Sequence, residues 1–225
     1  MRRILCLTFA FVFGLGTLGQ SGEKAATPFN GKDLTGWKLR GDAKKSKWQV
    51  GTASVDDKGK LLFKEGGSDM VNVAGGVDIY TEQAFGDCRV ECEVMVPKNS
   101  NSGIYLMGRY EIQVADSINS KKPGMGDMGA IYSVAAPKLN ACLKAGEWQK
   151  YVIDFQAPRF DGKKKTANAI FQKVVLNEKV IHENVEVVKG ATGGALGGEV
   201  PVGPLMFQGD HGPVAFRNIK ITPKK

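Results

Sequence analysis

The alternation that sets the class of this fold runs Cys88-Arg89-Val90-Glu91-Cys92-Glu93-Val94-Met95-Val96. Apolar and charged side chains take turns along it, which is typical of a β-strand with one face in a core and the other in water. Cys88 and Cys92 therefore share the buried face with Val90 and Val94. Along a strand the two cysteines are about 13 Å apart, too far to form a disulfide with each other.

Short runs of similar character recur on both sides of this segment, separated by turns rich in the 29 glycines of the chain. No helical period extends beyond about three turns. The predicted strands are 48–50, 60–63, 88–96, 103–114, 151–155, 167–176, 179–181, 205–208 and 216–221. Antiparallel strands at this spacing predict an all-β sandwich or jelly roll. No linker of biased composition interrupts them, so we expect one domain over residues 22–225.

Two connections between these strands carry specific expectations. Val174 to Ile181 reads as a tight hairpin, in which Asn177 can take the positive φ that such a turn needs. The glycine-rich segment 190–203 has no pattern able to bury it. It is either a plain mobile connector or a flap over a site.

The N-terminus predicts export. Arg2 and Arg3 precede an uncharged apolar run, residues 4–18, and then small residues. This order indicates a signal peptide over residues 1–21 and a periplasmic or secreted product with no membrane attachment after cleavage. The alternative, a membrane anchor, is disfavoured because the run is shorter than the ~20 residues that span a bilayer.

Charge and cysteine content exclude several classes of function. The net charge of +8 comes largely from lysine clusters beside turns, without interleaved aromatic residues, which favours solvated loops over a nucleic-acid surface. Cys142 either pairs with Cys88 or Cys92, or all three are free thiols. No metal motif of standard spacing appears, so no cofactor is expected and a divalent cation is not indicated.

The first candidate site lies in the apolar segment 103–114. On a strand Arg109, Glu111 and Gln113 share one face, and we expect all three to point into one cleft. The alternative is an exposed face with an Arg109–Glu111 ion pair. Asp116 follows and either caps a turn or joins the site; it pairs with Glu111 only if the strand bulges. The opposite face should be buried between the sheets and carries Tyr110, Ile112 and Val114.

A second polar cluster lies near the C-terminus. Gln208, Asp210 and His211 are interspersed with glycines, where the backbone can approach a ligand, and Arg217 follows. Imidazole exchanges protons near neutral pH. The alternative is a turn histidine bonded to a nearby carbonyl. The other histidine, His182, lies in a polar hairpin and is expected to be exposed.

Seven segments, in the right order across residues 22–225, together resemble the 3-keto-disaccharide hydrolase family. They are Phe29 to Trp37, Asn101 to Tyr105, Tyr110 to Asp116, Gly129 to Tyr132, Gly146 to Gln149, Ala157 to Asp161, and Gln208 to Gly212 followed by Phe216 to Ile219. The departures, Asn177-Glu178 in place of Asn-Gly and the extra Gly209, fall in turns. The resemblance implies a concanavalin A-like jelly-roll sandwich of two antiparallel sheets. It also implies a 3-keto-glycoside substrate, oxidised at carbon 3 beforehand by a separate glycoside 3-dehydrogenase.

The chemistry that this resemblance implies explains why both polar clusters are needed. A 3-ketone acidifies the proton on carbon 2, so a base can remove it, the group on carbon 1 is expelled, and water then adds. The catalytic residues are then His211 or Glu111 as the base and Arg109 as a donor to the enolate, and we expect His211 and Glu111 to share one pocket. The substrate-binding residues are Gln113, Asp116, Gln208, Asp210 and Arg217. The competing function is a non-catalytic carbohydrate-binding module. A retaining glucan hydrolase is disfavoured, because Gln113 stands where a second strand carboxylate would be needed.

Overall fold

The computed structural model describes residues 24–224, so the predicted leader over residues 1–21 lies outside the described residues. The described part is built of strands, with one 3-10 turn at Ala43–Lys45. The strands are β1 Trp37–Arg40, β2 Trp48–Val55, β3 Leu61–Asn72, β4 Asp78–Phe85, β5 Cys88–Met95, β6 Asn101–Leu106, β7 Tyr110–Ala115, β8 Trp148–Gln156, β9 Arg159–Asp161, β10 Lys164–Ala167, β11 Ile170–Leu176, β12 Lys179–Glu186, β13 Gly203–Phe207 and β14 Val214–Pro223. Within residues 24–224 no helix has the length and apolar character to cross a membrane.

Two antiparallel sheets form the sandwich. The five-stranded sheet has the order β1-β4-β13-β6-β7, and the seven-stranded sheet has the order β12-β11-β8-β5-β14-β3-β2. Strands β9 and β10 form a separate two-stranded ribbon. The predicted jelly-roll sandwich of the concanavalin A-like class is therefore confirmed.

An aromatic column crosses the core between the sheets. Phe207 of β13 and Phe216 of β14 stack with ring centroids 3.8 Å apart and an interplanar angle of 3°. Trp37 stacks on Phe207 at 5.4 Å, and Trp48 packs on Phe216 at 6.3 Å. Because β13 and β14 belong to different sheets, this column fixes the two layers against each other.

The alternation in residues 88–96 is confirmed as strand β5. Cys88, Val90, Cys92 and Val94 are all buried in the core that both sheets share. Both cysteines are free, as is Cys142, so neither of the possible pairings with Cys142 is present. Burial raises the pKa of the Cys92 thiol to about 12, which leaves it neutral and unreactive.

Both predicted connections take defined conformations. Strands β11 and β12 meet in a tight turn with Asn177 at φ 49° and Glu178 at φ 67°, so the hairpin prediction is confirmed. The segment 190–202, called the flap from here on, lies against the β6–β7 turn. The Leu196 N–H donates to Gly108 O at 2.9 Å, and the Tyr110 hydroxyl donates to Glu199 Oε1 at 2.7 Å.

Two expectations about elements were wrong. The predicted single strand 103–114 is a hairpin of β6 and β7, because Met107 and Gly108 both take left-handed φ values, 56° and 64°, and reverse the chain. His182 is buried rather than exposed, and its Nε2 donates to Gly129 O at 2.8 Å. Desolvation lowers the pKa of His182, which keeps the ring neutral inside the protein.

Candidate active site

A polar cleft opens on the face of the five-stranded sheet that points away from the core. Strand alternation places it there: Ile79, Ile104 and Ile112 lie in the core, so their neighbours in sequence face outward. The cleft has a volume of about 190 Å³. Its walls are formed by Arg40, Asp78, Asn101, Tyr105, Glu111, Gln113, Tyr132, Gly193, Gly194, Gln208, Asp210 and His211.

Glu111 forms the floor of the cleft, in space left free by Gly103. Tyr105 and Glu111 are paired residues on β6 and β7, and Gly103 precedes Tyr105 on the same face. A Cβ on Gly103 would lie 2.9 Å from Tyr105 Cε2 and 3.0 Å from Glu111 Cδ, closer than carbon atoms pack. The missing side chain at Gly103 thus allows the carboxyl group and the tyrosine ring to lie side by side against the backbone.

Glu111 is a carboxyl group that titrates near neutral pH. Its side chain is almost wholly removed from solvent, with a relative exposure of 2%. Burial raises its pKa to about 7, and the nearby acids Asp78 and Asp210 act in the same direction, whereas the Tyr105 hydroxyl and His211 oppose the rise. A carboxylate this basic can remove a weakly acidic carbon-bound proton, and its protonated form can give one back.

The Tyr105 hydroxyl links three walls of the cleft. It donates to Gly193 O of the flap at 2.9 Å and accepts from Gln208 Nε2 at 3.3 Å. Its ring lies beside the Glu111 side chain, because the two residues are paired across β6 and β7. Burial and the adjacent Glu111 raise the pKa of Tyr105 far above its ordinary value, so this hydroxyl keeps its proton.

His211 sits on a short loop, residues 209–212, that is held from inside the core. The buried side chain of Asn72 donates to Gly209 O at 2.7 Å and to Gly212 O at 3.2 Å, one on each side of the Asp210-His211 pair. The Gly209 N–H in turn donates to Asp78 Oδ1 at 2.9 Å. These bonds bring the loop to the rim of the cleft.

The imidazole of His211 is oriented by its neighbour in sequence. Its Nδ1 donates to Asp210 Oδ1, and both side chains are exposed at the rim. This contact fixes Nδ1 as the protonated nitrogen of the neutral ring, so Nε2 can accept a proton and can deliver one once it holds it.

Arg40 and Asp78 form the wall opposite β7 and also support the flap. Arg40 Nη1 bonds Asp78 Oδ2 at 3.2 Å and also contacts Gly194 O, and Nη2 donates to Ala195 O at 3.1 Å. Desolvation raises the pKa of Asp78, although the bond from Gly209 and the charge of Arg40 oppose the rise. Arg40 therefore places one positive charge in a cleft otherwise rich in acids.

The outer edge of β7 is covered by the segment Gly129–Tyr132. The Gly129 N–H donates to Gln113 O at 2.8 Å, and the Tyr132 N–H donates to Glu111 O at 3.1 Å, in the manner of one more strand. Tyr132 thereby comes to stand beside the cleft with a relative exposure of 36%. Its ring offers a flat apolar surface of the kind that packs on the C–H groups of a sugar.

Five of the eight sequence-predicted site residues meet in the cleft. The two polar clusters come together as expected, and His211 acts electrostatically on Glu111 although 100 positions separate them. The five are Glu111, Gln113, Gln208, Asp210 and His211. Gln113 Nε2 bonds Asn101 Oδ1 at 2.8 Å, which holds its amide in place.

The other three predicted residues lie outside the cleft. Arg109 belongs to the β6–β7 turn, so strand alternation does not apply to it, and its Nε donates to Gly198 O of the flap at 3.0 Å. Asp116 lies beyond β7 and accepts from the Asn99 N–H at 3.0 Å. Arg217 follows the buried Phe216 and therefore faces the outer side of the other sheet, where it bonds Glu93 at 2.7 Å and stacks on Trp148.

Sequence reasoning missed several residues of the cleft. Arg40 and Asp78 lie on β1 and β4, two strands that were not predicted, and a weak alternation of Trp37 and Leu39 with charged residues is the signal that could have found the first. Tyr105 and Tyr132 occur in segments already noted for the family resemblance, but nothing in a single sequence gives a tyrosine a role. Asn101 begins β6 beside them.

The described residues contain no cluster of three or more histidine, cysteine, aspartate or glutamate side chains arranged to hold a metal ion. The acids of the cleft are instead engaged singly: Asp78 by Arg40 and Gly209, and Asp210 by His211.

A family model described as a 3-keto-alpha-glucoside-1,2-lyase-like domain matches residues 24–222. The chain belongs to this family. Four of the seven segments that carried the resemblance line the cleft: Asn101 to Tyr105, Tyr110 to Asp116, Gly129 to Tyr132, and Gln208 to Gly212.

Solved structures show the same fold. A crystal structure from Parabacteroides distasonis ATCC 8503, of a protein assigned as a glycosyl hydrolase, is 29% identical, with a TM-score of 0.68 over 90% of this chain and 84% of that one. A second structure from the same organism, with the same assignment, is 19% identical, with a TM-score of 0.60 over 89% of this chain and 94% of that one. No curated protein matches in sequence. Family and fold together make this lyase-like member a carbohydrate-active domain of the glycosyl hydrolase type.

Proposed function

We propose that this protein is an exported enzyme that cleaves 3-keto-glycosides by base-catalysed elimination followed by hydration. The observation that carries the proposal is Glu111, a buried carboxyl group whose pKa is raised to about 7, on the floor of a polar cleft in a member of this family. The N-terminal pattern of residues 1–21 supports export to the periplasm or the medium.

Glu111 is the base in this proposal. Its carboxylate removes the proton from carbon 2 of the 3-keto sugar, and the electron pair of that C–H bond forms an enolate with the ketone. The same electrons then form the double bond between carbons 1 and 2 while the bond from carbon 1 to the glycosidic oxygen breaks. A base with a pKa near the working pH is effective because it is substantially ionised and still strongly basic.

His211, as the imidazolium, delivers from Nε2 the proton that the leaving oxygen needs. Asp210 holds its Nδ1, and the ring lies at the rim of the cleft. In the second step water adds across the double bond: its oxygen bonds to carbon 1, its proton passes to His211 Nε2, and Glu111, after exchange with solvent, returns a proton to carbon 2. Arg40 supplies positive charge for the enolate oxygen in place of Arg109, and the amides of Gln113 and Gln208 pair with hydroxyl groups.

The alternative within the glycosyl hydrolases is displacement at carbon 1 by a second carboxylate. Gln113 takes the place of a second carboxylate only on β7, whereas Asp78 and Asp210 line the same cleft. Both oxygens of Asp78 are already bonded, to Gly209 N and to Arg40, and Asp210 is engaged by His211. These hydrogen bonds make both carboxylates weaker nucleophiles, which favours elimination.

The substrate requires an earlier oxidation. The carbon 2 proton of an ordinary glycoside is far too weakly acidic for a side-chain base, so a separate glycoside 3-dehydrogenase has to supply the ketone.

The deciding experiment is hydrolysis of 3-keto-trehalose or 3-keto-sucrose in heavy water. Elimination and hydration place deuterium at carbon 2 of the released keto-sugar, and the matching unoxidised disaccharides stay intact. The control is the released keto-sugar incubated alone in heavy water, which measures exchange without the enzyme. Product without deuterium, or cleavage of plain glycosides, would contradict elimination, and tight sugar binding with no turnover would favour a carbohydrate-binding module.

Variants test the assigned roles. Glu111→Gln and His211→Ala should each lower turnover by roughly 100-fold or more, because each removes one proton-transfer group. The matched control is Arg217→Ala, which removes a charged residue from the opposite sheet and should leave turnover unchanged. Full activity in Glu111→Gln would refute its role as the base.

A further inference from the structure

The outer edge of β7 is closed by two different segments. The first is the segment after β7: the Gln113 N–H donates to Ala130 O at 2.9 Å, and the Glu111 carbonyl accepts from the Tyr132 N–H at 3.1 Å. The second is the flap. The Glu111 N–H, on the same edge, donates to the side-chain hydroxyl of Thr192 at 3.1 Å. The main chain of Glu111 is therefore held by one segment at its carbonyl and by the flap at its N–H.

The Thr192 hydroxyl does the work of one residue of a neighbouring strand. It accepts from the Glu111 N–H and donates to Arg109 O at 3.0 Å, while the Thr192 N–H donates to the same carbonyl at 2.8 Å. A hydroxyl can bridge two main-chain groups in this way because it is both a donor and an acceptor. Without it the Glu111 N–H would lose its acceptor in a part of the fold that is half removed from solvent.

Thr192 lies behind the wall of the cleft, and the residues that follow it form that wall. Gly193 and Gly194 line the cleft, and Gly193 O accepts from the Tyr105 hydroxyl at 2.9 Å. The flap therefore contributes wall residues at 193 and 194 and, one position earlier, a side chain that bonds the main chain of Glu111.

We infer that Thr192 is a positioning residue for Glu111: its hydroxyl joins docking of the flap on β7 to placement of the Glu111 carboxyl group on the floor of the cleft. The main chain sets the direction in which a side chain leaves a strand, so a shift at the Glu111 N–H moves the carboxyl group with it. Glu111 is the base only under the proposed function, on which the role of Thr192 in catalysis rests. The bonds themselves need no substrate.

Hydrogen exchange at single amides tests the contact without any substrate. The amides to compare are Glu111, whose acceptor is the Thr192 hydroxyl, and Gln113, whose acceptor is Ala130 O. Thr192→Val keeps the branched shape and loses the hydroxyl, so the protection factor of the Glu111 amide should fall by about five-fold, the loss expected for one hydrogen bond. The Gln113 amide should keep its wild-type protection. Thr192→Ser, which retains the hydroxyl, should protect both amides as the wild type does.

The carboxyl group and the reaction give two further readouts. The NMR signal of the Glu111 carboxyl carbon should move in Thr192→Val and stay near its wild-type position in Thr192→Ser. For a 3-keto-glycoside, kcat should fall by roughly 10-fold in Thr192→Val, since a full 1 Å displacement of a catalytic group can cost about 100-fold and this shift is smaller. KM should stay unchanged, because the groups that pair with the sugar hydroxyls keep their places. A flap that had merely loosened would instead raise KM through Gly193 and Gly194.

The matched control is Tyr110→Phe. The Tyr110 hydroxyl also holds the flap, through Glu199 at 2.7 Å, but its removal leaves both bonds of the Thr192 hydroxyl in place. This variant should keep the wild-type protection of the Glu111 amide and the wild-type kcat.

Three results would overturn the inference: unchanged protection of the Glu111 amide in Thr192→Val, equal losses in Thr192→Ser and Thr192→Val, or lost protection with an unchanged carboxyl signal and kcat. Failure of the wild type to cleave any keto-glycoside would instead count against the proposed function. In that case the exchange rates and the carboxyl signal still decide whether Thr192 positions Glu111.

Discussion

Replacing Gly103 by alanine should damage the floor of the cleft directly. Gly103 lies in the extended backbone of β6, so alanine fits its main-chain conformation. The added Cβ would lie 2.9 Å from Tyr105 Cε2 and 3.0 Å from Glu111 Cδ, and would come closer still to Glu111 Oε1. All three contacts belong to the two side chains on the floor of the cleft.

The size of the effect follows from those distances. Carbon atoms in contact are about 3.5–4.0 Å apart, so the carboxyl group or the tyrosine ring has to move by roughly 0.5–1 Å. A misplacement of about 1 Å in a catalytic group can cost roughly 100-fold in rate. Overpacking of this kind also lowers the free energy of unfolding, by about 1–3 kcal/mol.

The assay is kcat/KM for a 3-keto-disaccharide, with a thermal unfolding curve to show that Gly103→Ala remains folded at the assay temperature. The control is Gly126→Ala, whose Cβ would meet no atom within 4 Å and which should behave as the wild type does. A folded Gly103→Ala protein with unchanged kcat/KM would mean that Glu111 and Tyr105 do not need their present positions, and the assignment of the floor would fail.

Three further predictions address charge, loop support and the two arginines. Glu111→Gln should become increasingly more stable than the wild type as pH rises from about 4.5 to above 7, because a buried carboxyl group with a raised pKa costs stability once it ionises. Denaturant titrations at pH 4 and pH 8 measure this, and the gain in unfolding free energy of the variant over the wild type should grow by about 3 kcal/mol between the two pH values. Asn72→Ala should leave the Gly212 carbonyl without its side-chain donor, while the Gly209 carbonyl keeps only its bond from the Gly76 N–H. We expect stability to fall by about 1–2 kcal/mol and kcat to fall through a misplaced His211; a folded variant with wild-type kcat would count against the loop's role. Arg40→Ala should lower keto-glycoside turnover by roughly 10-fold, since it removes one hydrogen-bonding charge from the cleft. Arg217→Ala should lower stability by at most about 1 kcal/mol and leave turnover unchanged. Equal losses of turnover in the two variants would show that the cleft is not the active site.

The fold was predictable because the information that specifies it is local. The alternation in residues 88–96 identifies a strand of the seven-stranded sheet, and Asn177 marks a hairpin by the φ that it tolerates. The hairpin of β6 and β7 was missed because its turn contains Met107, and a left-handed φ is uncommon for a residue with a side chain. With an apolar residue before it, Gly108 therefore looked like a glycine inside a continuous strand.

The site was predictable only in part, because alternation applies within a strand and stops at its ends. Glu111 and Gln113 were placed correctly because both lie inside β7, whereas Arg109 and Asp116 flank that strand and point elsewhere. Arg217 was misplaced for a different reason: a single sequence does not say which sheet a strand joins. Arg40 reaches the cleft through the pairing of β1 with β4, a contact between segments nearly 40 positions apart.

The position of the last two strands has a consequence for how this chain folds. Strand β13 is inserted between β4 and β6, and β14 is inserted between β5 and β3, so the two segments nearest the C-terminus complete the middle of both sheets. A chain that emerges N-terminus first therefore carries four strand edges with unpaired backbone groups until residues 203–223 arrive. Such long-range pairing is slow, on the order of milliseconds to seconds, and leaves those edges open to association between molecules in the meantime. A truncation before β13 should consequently yield an aggregating chain rather than a smaller folded sandwich.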